Sequence, residues 1–194
     1  MFALHEIIWA IIGLFLTIGG TFLGAYITGF PWAWSQQGIA TYSLGVTYQI
    51  GAVLLVGCLG GKNAGALSQI AYLAIGLTWW RVFSQGGGLG YIKEPTFGYL
   101  LGFVPGAWVC GYLAFKRPPK LEFLALSCLL GLLCIHITGL SYSILANTFN
   151  WGREETLSLW QSFSTYSLSP LLGQLVIICA VTVVAFLLRK LMLY

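Results

Sequence analysis

The stretch that decides the fold runs from Gly86 to Gly102, GGGLGYIKEPTFGYLLG, and joins a glycine-dense loop to the start of an apolar run. Glycine lacks a Cβ atom, so the backbone N–H groups of such a loop can approach a ligand closely. Pro95 suits the first turn of a helix, and Thr96 beside it can cap exposed amides. That helix end carries a partial positive field and Lys93 adds a full charge, which favours an anionic group. The pattern indicates a loop that holds a small solute at the mouth of a membrane helix. It is not a P-loop, because no G-K-[ST] follows.

The composition around this stretch is that of an integral membrane protein. Of the 194 residues, 58% are hydrophobic and 7% are charged, whereas soluble domains carry about 25% charged residues. Tryptophan and tyrosine cluster near the ends of the apolar runs, as in the interfacial belts of membrane proteins. The net charge of +4 forms no basic stripe, so the sequence predicts the lipid bilayer as a partner and no nucleic acid.

Six apolar runs are long enough to cross a bilayer, which takes about 20 mostly apolar residues. They lie at about 7–29, 42–60, 64–82, 97–115, 121–146 and 168–190. The first run has no basic region before it and no small-residue cleavage site soon after it, so we predict a retained first helix rather than a signal peptide. The sequence therefore predicts an all-α integral membrane protein, with residues 1–194 forming one transmembrane domain of six helices.

The distribution of cations predicts the orientation of these helices. The side that would hold both termini and the short turns carries six cations: Lys62, Lys116, Arg117, Lys120, Arg189 and Lys190. The opposite side carries three: Arg81, Lys93 and Arg153. By the positive-inside rule, both termini lie in the cytoplasm and the three long loops, at about 30–41, 83–96 and 147–167, lie outside. We expect a multi-pass membrane protein.

Polar side chains inside the apolar runs are costly in a bilayer and call for an explanation. The Gln49 side chain is expected either to form a hydrogen bond between two helices or to contact a ligand. The position of Gln174, shortly after Ser169, indicates that it lines a cavity open to the outside. His136 is interpreted as a hydrogen-bonding partner of a neighbouring helix rather than a catalytic group. The sequence offers no ligand set for a metal around it.

Glycines and cysteines in the apolar runs indicate where helices pack closely. Gly20 and Gly24 form a G-x-x-x-G in the first run, which indicates packing within the bundle or, alternatively, docking of a separate membrane subunit. The five cysteines lie inside apolar runs without a C-x-x-C, and we interpret them as packing residues: Cys58, Cys110, Cys128, Cys134 and Cys179.

A resemblance to a known family rests on residues 83–88, FSQGGG, and residues 94–103, EPTFGYLLGF. They are similar to the V-F-A-x-G-x-G-G and G-P-T-G-G-Y-L-x-G-F signatures of the BioY family, the biotin-binding S components of energy-coupling-factor (ECF) transporters. Residues 47–57 resemble the family's T-L-Q-x-x-x-V-L-L-x-G, and residues 64–77 resemble its R-x-G-A-L…Y-L-L-L-G. The resemblance covers roughly residues 45–115.

This resemblance implies a six-helix S component that captures biotin for uptake, with no enzymatic activity and no cofactor. It implies a transmembrane coupling (T) subunit and two ATPase subunits as partners, or a homo-oligomer if the chain works alone. We predict that the coupling subunit contacts Gly13, Gly20 and Gly24. The predicted substrate-binding residues are Gln49, Phe83, Gln85, Gly86, Gly87, Gly88, Tyr91, Lys93, Thr96, Tyr99, Arg153, Ser169 and Gln174.

The chain departs from the family pattern in two places. Glu94 and Phe97 replace glycines of the G-P-T-G-G motif. Many members carry P-G-D-x-x-K at the start of the last helix, where this chain has Gln174 for the aspartate and Ile177 for the lysine. Gln174 keeps the hydrogen-bonding capacity without the charge. The carboxylate of biotin is therefore expected to contact Lys93, Arg153 or the amides near Thr96.

Two other functions are compatible with the sequence. One is an S component for a different vitamin, since one fold serves several specificities. The other is a small intramembrane enzyme that uses His136, Glu122 or Ser141, although these groups are scattered along the chain.

Overall fold

The computed structural model describes residues 3–29, 38–78, 80–149 and 159–192. Within these residues it contains a bundle of five helices that are long and apolar enough to cross a membrane. They are α1 (Leu4–Phe22), α2 (Gln49–Thr78), α3 (Phe97–Ala114), α4 (Leu121–Thr148) and α5 (Leu159–Leu191). Two short strands, β1 (Gly24–Thr28) and β2 (Thr41–Thr47), pair antiparallel between α1 and α2.

Helix α2 is broken at Gly61, whose φ of 81° and ψ of −178° are not helical. The Gln49 side-chain nitrogen donates to the Tyr72 hydroxyl at 2.9 Å across 23 residues, a separation of about 34 Å in a straight helix. The chain therefore reverses at Gly61, and the arms 49–60 and 62–78 lie antiparallel. The reversal falls at the turn that the sequence predicts around residues 61–63.

The strands correct the first two predicted helices. The run predicted as 7–29 leaves the helix at Phe22, and the run predicted as 42–60 becomes helical only at Gln49. Between them, Tyr26 and Tyr42 lie in β1 and β2. Aromatic and β-branched residues have high hydropathy but also favour strands, so hydropathy alone extends both helices too far.

The later helices agree with the sequence within a few residues. Helix α3 ends at Ala114 where residue 115 is predicted, and α4 ends at Thr148 where residue 146 is predicted. Helix α4 follows Pro118 and Pro119, which cannot continue α3. Helix α5 differs at its start: it begins at Leu159 and passes through a π-helical turn, Ser164–Leu168, in a segment predicted as loop.

Helix α2 lies at the centre of the bundle, between α1 and α3. Cys58 of α2 lies 3.6 Å from Cys110 of α3 and 3.5 Å from Cys128 of α4, measured between sulfurs, and all three are buried. Near the same end, Arg189 of α5 donates to the Ala114 carbonyl at 2.7 Å. These contacts tie the helices together at the end of the bundle that carries the short turns.

The glycines predicted to contact the coupling subunit also pack against other parts of the chain. A Cβ atom at Gly13 would lie 2.6 Å from the Val56 side chain, and one at Gly20 would lie 3.0 Å from the Gln49 backbone nitrogen. Both glycines therefore let the arm 49–60 approach α1, and Gly13 is buried there. Gly24 is the first residue of β1 rather than part of α1.

Candidate functional site

A cavity of about 290 Å³ lies at the end of the bundle opposite Gly61. It is enclosed by β2, the start of α2, the loop before α3, and parts of α3 and α5. Its described lining contains no Asp, Glu, Lys, Arg or His, and consists of Gly45, Val46, Thr47, Gln49, Ile50, Ser84, Tyr91, Thr96, Tyr99, Leu100, Phe103, Thr165, Tyr166, Pro170 and Gln174. The site can therefore bind a ligand through neutral hydrogen bonds and aromatic surface.

One wall of the cavity comes from an irregularity in the strand pair. Gly24 pairs with Thr47, but Tyr26 pairs with Ser43, so β2 contains extra residues between these pairs. Gly45 lies in this bulge with a φ of 67°, which is unfavourable for residues with a side chain. The bulge brings residues 45–47 to the cavity and leads directly into Gln49 at the start of α2.

A hydrogen-bonded chain holds Gln174 at the cavity. The Gln174 side-chain oxygen lies 2.8 Å from His136 Nε2, and His136 Nδ1 lies 3.1 Å from the Ser167 hydroxyl oxygen. That oxygen lies 2.8 Å from the Tyr99 hydroxyl. An amide oxygen only accepts, so a neutral His136 carries its proton on Nε2 and accepts from Ser167 at Nδ1. Ser167 in turn accepts from Tyr99.

This direction of donation determines what Gln174 offers to a ligand. Its amide oxygen is used by His136, so its NH₂ group is the part left for the cavity. His136 is buried and bonds two groups of α5 from α4. The interpretation of His136 as a hydrogen-bonding partner of a neighbouring helix is confirmed.

A second chain holds Gln49 from the other side. Its amide nitrogen donates to the Tyr72 hydroxyl, which donates to the Val82 carbonyl at 3.1 Å. The Tyr72 oxygen also lies 3.2 Å from the Thr21 hydroxyl of α1. With its nitrogen engaged, Gln49 presents its amide oxygen as an acceptor. Gln49 thus forms a helix–helix hydrogen bond and also lines the cavity. Its contact with a ligand stays a prediction.

The π-helical turn of α5 supplies residues that no sequence pattern indicates. A π turn holds extra backbone in one turn of a helix and is frequent at functional sites. Here Thr165 and Tyr166 line the cavity, and Ser167 joins Tyr99 to His136. The Tyr166 ring lies 6.1 Å from the Tyr99 ring, measured between centroids. The turn therefore builds much of one wall.

The structure brings five of the predicted substrate-binding residues together at the cavity: Gln49, Tyr91, Thr96, Tyr99 and Gln174. Ser169 adjoins the lining residue Pro170 but is not itself part of the lining. Gln85 and Lys93 are exposed and also lie outside the lining. Arg153 lies outside the described residues.

The glycine-rich loop packs against the end of α2. The Gly88 nitrogen donates to the Gly76 carbonyl at 2.7 Å, and a Cβ atom at Gly87 would lie 2.7 Å from that same oxygen. Phe83 is buried, with its ring 5.3 Å from that of Tyr72 and 4.7 Å from that of Tyr91. Phe83, Gly87 and Gly88 therefore seat the loop on α2, while the Gly86 backbone pairs with that of Phe83. None of these four residues is part of the cavity lining.

Several lining residues were missed by the sequence reasoning. Leu100 and Phe103 were detectable in principle, because Leu100 lies four residues after Thr96 and Phe103 lies four residues after Tyr99, on the same face of α3. Ser84 is the residue of the glycine-rich loop that reaches the lining. The bulge and the π turn gave no comparable signal.

Comparisons with known proteins agree with this architecture. The family model described as "BioY family" matches residues 4–194. The chain is 42% identical over 102 residues to a probable biotin transporter BioY of Lysinibacillus sphaericus, which is 52% of each chain. The match therefore spans about half the length of that curated relative. This chain is also 28% identical over 187 residues to an uncharacterized 21.2 kDa protein of Cyanophora paradoxa, and the alignment covers 96% of this chain and 95% of that protein.

A solved structure shares the fold. The crystal structure of the S-component for biotin from an ECF-type ABC transporter superposes with a TM-score of 0.64 over 95% of this chain and 88% of that chain. The sequence identity is 20%, so this likeness establishes a common fold.

Proposed function

Because this chain belongs to the BioY family, we propose that it captures biotin and serves as the substrate-specific subunit of an ECF-type uptake system. The observation that carries the proposal is the uncharged cavity of about 290 Å³ with amide groups on two sides. Ligand pockets begin at about 300 Å³, so the cavity suits a small molecule. In this function the protein requires no cofactor and catalyses no reaction.

The two amides complement the fused ureido ring of biotin. A ureido group has a carbonyl acceptor and two N–H donors. The Gln174 NH₂ group donates to the ureido carbonyl, and the Gln49 oxygen accepts from a ureido N–H. Both amides are held by their own hydrogen-bonded chains, so little side-chain freedom is lost on binding, which favours affinity.

The remaining parts of biotin meet the aromatic and N-terminal parts of the lining. The thioether ring lies against Tyr99 and Tyr166, since sulfur packs favourably on aromatic rings. The carboxylate points towards Thr96, the N-cap of α3, where the helix end has a partial positive charge. Lys93, in the loop before α3, is the described cation nearest to Thr96 along the chain. The N-terminus of α3 thus takes the place of the lysine that many family members carry on their last helix.

The reversal at Gly61 supports a proposed arrangement in the membrane. The arm 62–78 acts as one membrane-spanning segment, and the arm 49–60 together with the preceding strand β2 acts as another, so the chain has six spans as a single transmembrane domain. Both termini face the cytoplasm, and the cavity opens to the outside. The protein is a multi-pass component of a prokaryotic cell membrane.

A coupling subunit and two ATPases supply the energy for release into the cell. The surface for the coupling subunit is an apolar groove of about 350 Å³ between α1, α2 and α5. Gly19, Ala52 and Ala180 line it, and nothing lies within 4 Å of a Cβ atom built at Gly19. Small residues let another membrane helix approach closely.

Binding of radiolabelled biotin to the purified protein tests the proposal. We expect submicromolar affinity and competition by unlabelled biotin but not by thiamine or riboflavin. Better competition by another vitamin would assign the chain to a different specificity, and the absence of binding by any vitamin would refute an S-component function.

A further inference from the structure

A second cavity, of about 310 Å³, lies at the opposite end of the bundle from the candidate biotin site. It is formed where the reversal of α2 meets the start of α1 and the end of α3. Gly61, Lys62, Tyr112, Phe115 and Lys116 are among its lining residues. The proposed function gives this cavity no role.

Two cations converge on one aromatic side chain at this cavity. The ammonium nitrogen of Lys62 lies 5.5 Å from the centre of the Tyr112 ring, and that of Lys116 lies 5.8 Å from the same centre. Lys62 also lies 5.7 Å from the ring centre of Trp108, which stacks on Tyr112 with an interplanar angle of 7°. Both lysines are exposed, so two positive charges face the same ring without being buried.

The acidic group of the cavity is engaged elsewhere. Glu6 accepts from the Asn63 side chain at 2.7 Å with one oxygen and from the Ala3 backbone at 3.1 Å with the other. The two lysines are therefore available to an anion from outside the chain. A phosphate group that contacts both would balance their positive charge.

The neighbouring surface is apolar and aromatic. Trp108 lies one helical turn further into the bundle than Tyr112, and each has 42% of its surface exposed. Phe115 is 43% exposed on the same helix end. Exposed aromatic rings of this kind sit at the headgroup level of a bilayer, with hydrocarbon on one side and water on the other.

From these contacts we infer that the cavity binds the headgroup of an anionic phospholipid. The phosphate lies between Lys62 and Lys116, and an acyl chain runs along the stacked pair of Trp108 and Tyr112. Basic pockets between membrane helices bind anionic headgroups in this way. The lipid would clamp the reversal of α2 to the end of α3, since each lysine belongs to one of these elements.

Native mass spectrometry of the purified protein, with phosphatidylglycerol or phosphatidylcholine added, tests the inference. We expect the wild type to retain phosphatidylglycerol in preference to phosphatidylcholine. The double variant Lys62→Gln/Lys116→Gln should lose phosphatidylglycerol affinity by about thirtyfold, the equivalent of ~1 kcal/mol for each of two surface cations. Glycerol phosphate, which has no acyl chains, should neither bind detectably nor displace the lipid.

The matched control is Lys120→Gln/Lys190→Gln, which removes two cations from the same end but none that lines the cavity. It should retain the lipid. Equal losses in the two double variants would overturn the inference in favour of diffuse attraction. The inference would also be overturned if the Lys62→Gln/Lys116→Gln variant bound the lipid as the wild type does but lost the copurifying ATPase and coupling subunits. That result would identify the cavity as a protein-docking surface. Retained biotin binding in both variants shows that they are folded and separates this result from the test of the biotin site.

Discussion

The imidazole of His136 on α4 and the side-chain amide of Gln174 on α5 are joined by a hydrogen bond of 2.8 Å. The bond orients a glutamine that lines the cavity through a histidine that does not. Gln174 is therefore the contact residue and His136 a positioning residue. The effects of changing each one can be separated.

Replacement of Gln174 by leucine should weaken biotin binding by about tenfold to a hundredfold. The variant removes the amide that donates to the ligand and leaves a buried polar group unpaired, a loss of about 1–3 kcal/mol. Isothermal titration calorimetry measures the change. The control is Gln85→Leu, an exposed glutamine outside the lining, for which we expect unchanged affinity. Similar affinities for the two variants would contradict the assignment.

Replacement of His136 by leucine should weaken biotin binding less than the loss of Gln174, by about threefold to tenfold, because only the orientation of the amide is lost. The decisive measurement is the double variant His136→Leu/Gln174→Leu. If His136 acts through Gln174, the double variant should bind no more weakly than Gln174→Leu, which is the non-additivity expected of residues in one network. Additive losses would show that His136 contributes independently.

Replacement of Gly87 by alanine should destabilise the protein, because the new Cβ atom would lie 2.7 Å from the Gly76 carbonyl oxygen. Overpacking of this kind costs about 1–3 kcal/mol, which lowers the thermal midpoint by about 2–10 °C. Thermal unfolding in detergent measures it. Gly90→Ala is the control, since nothing lies within 4 Å of a Cβ atom at Gly90. An unchanged midpoint for Gly87→Ala, with lost biotin affinity, would restore the ligand-binding role of the loop.

Replacement of Gly19 by leucine should block uptake and spare binding. The leucine would fill the groove that we assign to the coupling subunit, and a penalty of ~1.4 kcal/mol lowers complex formation about tenfold. Uptake of radiolabelled biotin by cells and equilibrium binding by the purified variant give the two readouts. Ser141→Leu, an exposed position on α4 outside the groove, should leave both unchanged. Normal uptake by Gly19→Leu would exclude this docking surface.

Much of the fold was predictable because hydropathy reports on burial in a bilayer. Helices α3 and α4 are bounded by prolines and charged turns, so their ends fall within two residues of the predicted ones. The strands were missed because membrane hydropathy does not distinguish Tyr26 in a strand from Tyr26 in a helix. The family membership followed from short motifs in the loop before α3 and in α3 itself.

The site was predictable only in part, for a different reason. Gln49 and Gln174 stand out because an amide in an apolar run is costly, and both line the cavity. The glycines 86–88 stand out equally, yet the missing side chain of Gly87 serves the close packing of the loop on α2. A sequence shows that space is needed at a glycine but not whether a ligand or the chain's own backbone occupies it.

The π turn at Ser164–Leu168 has a consequence for how ligand preference can change. Each residue advances an α-helix by about 100°, so deletion of a single residue here would rotate Thr165 and Tyr166 away from the cavity. The apolar part of α5, from Ser169 onwards, would keep its length and its place among its neighbours. Deletion of one residue in the π turn thus changes which side chains line the pocket and leaves the membrane-spanning part of α5 in place.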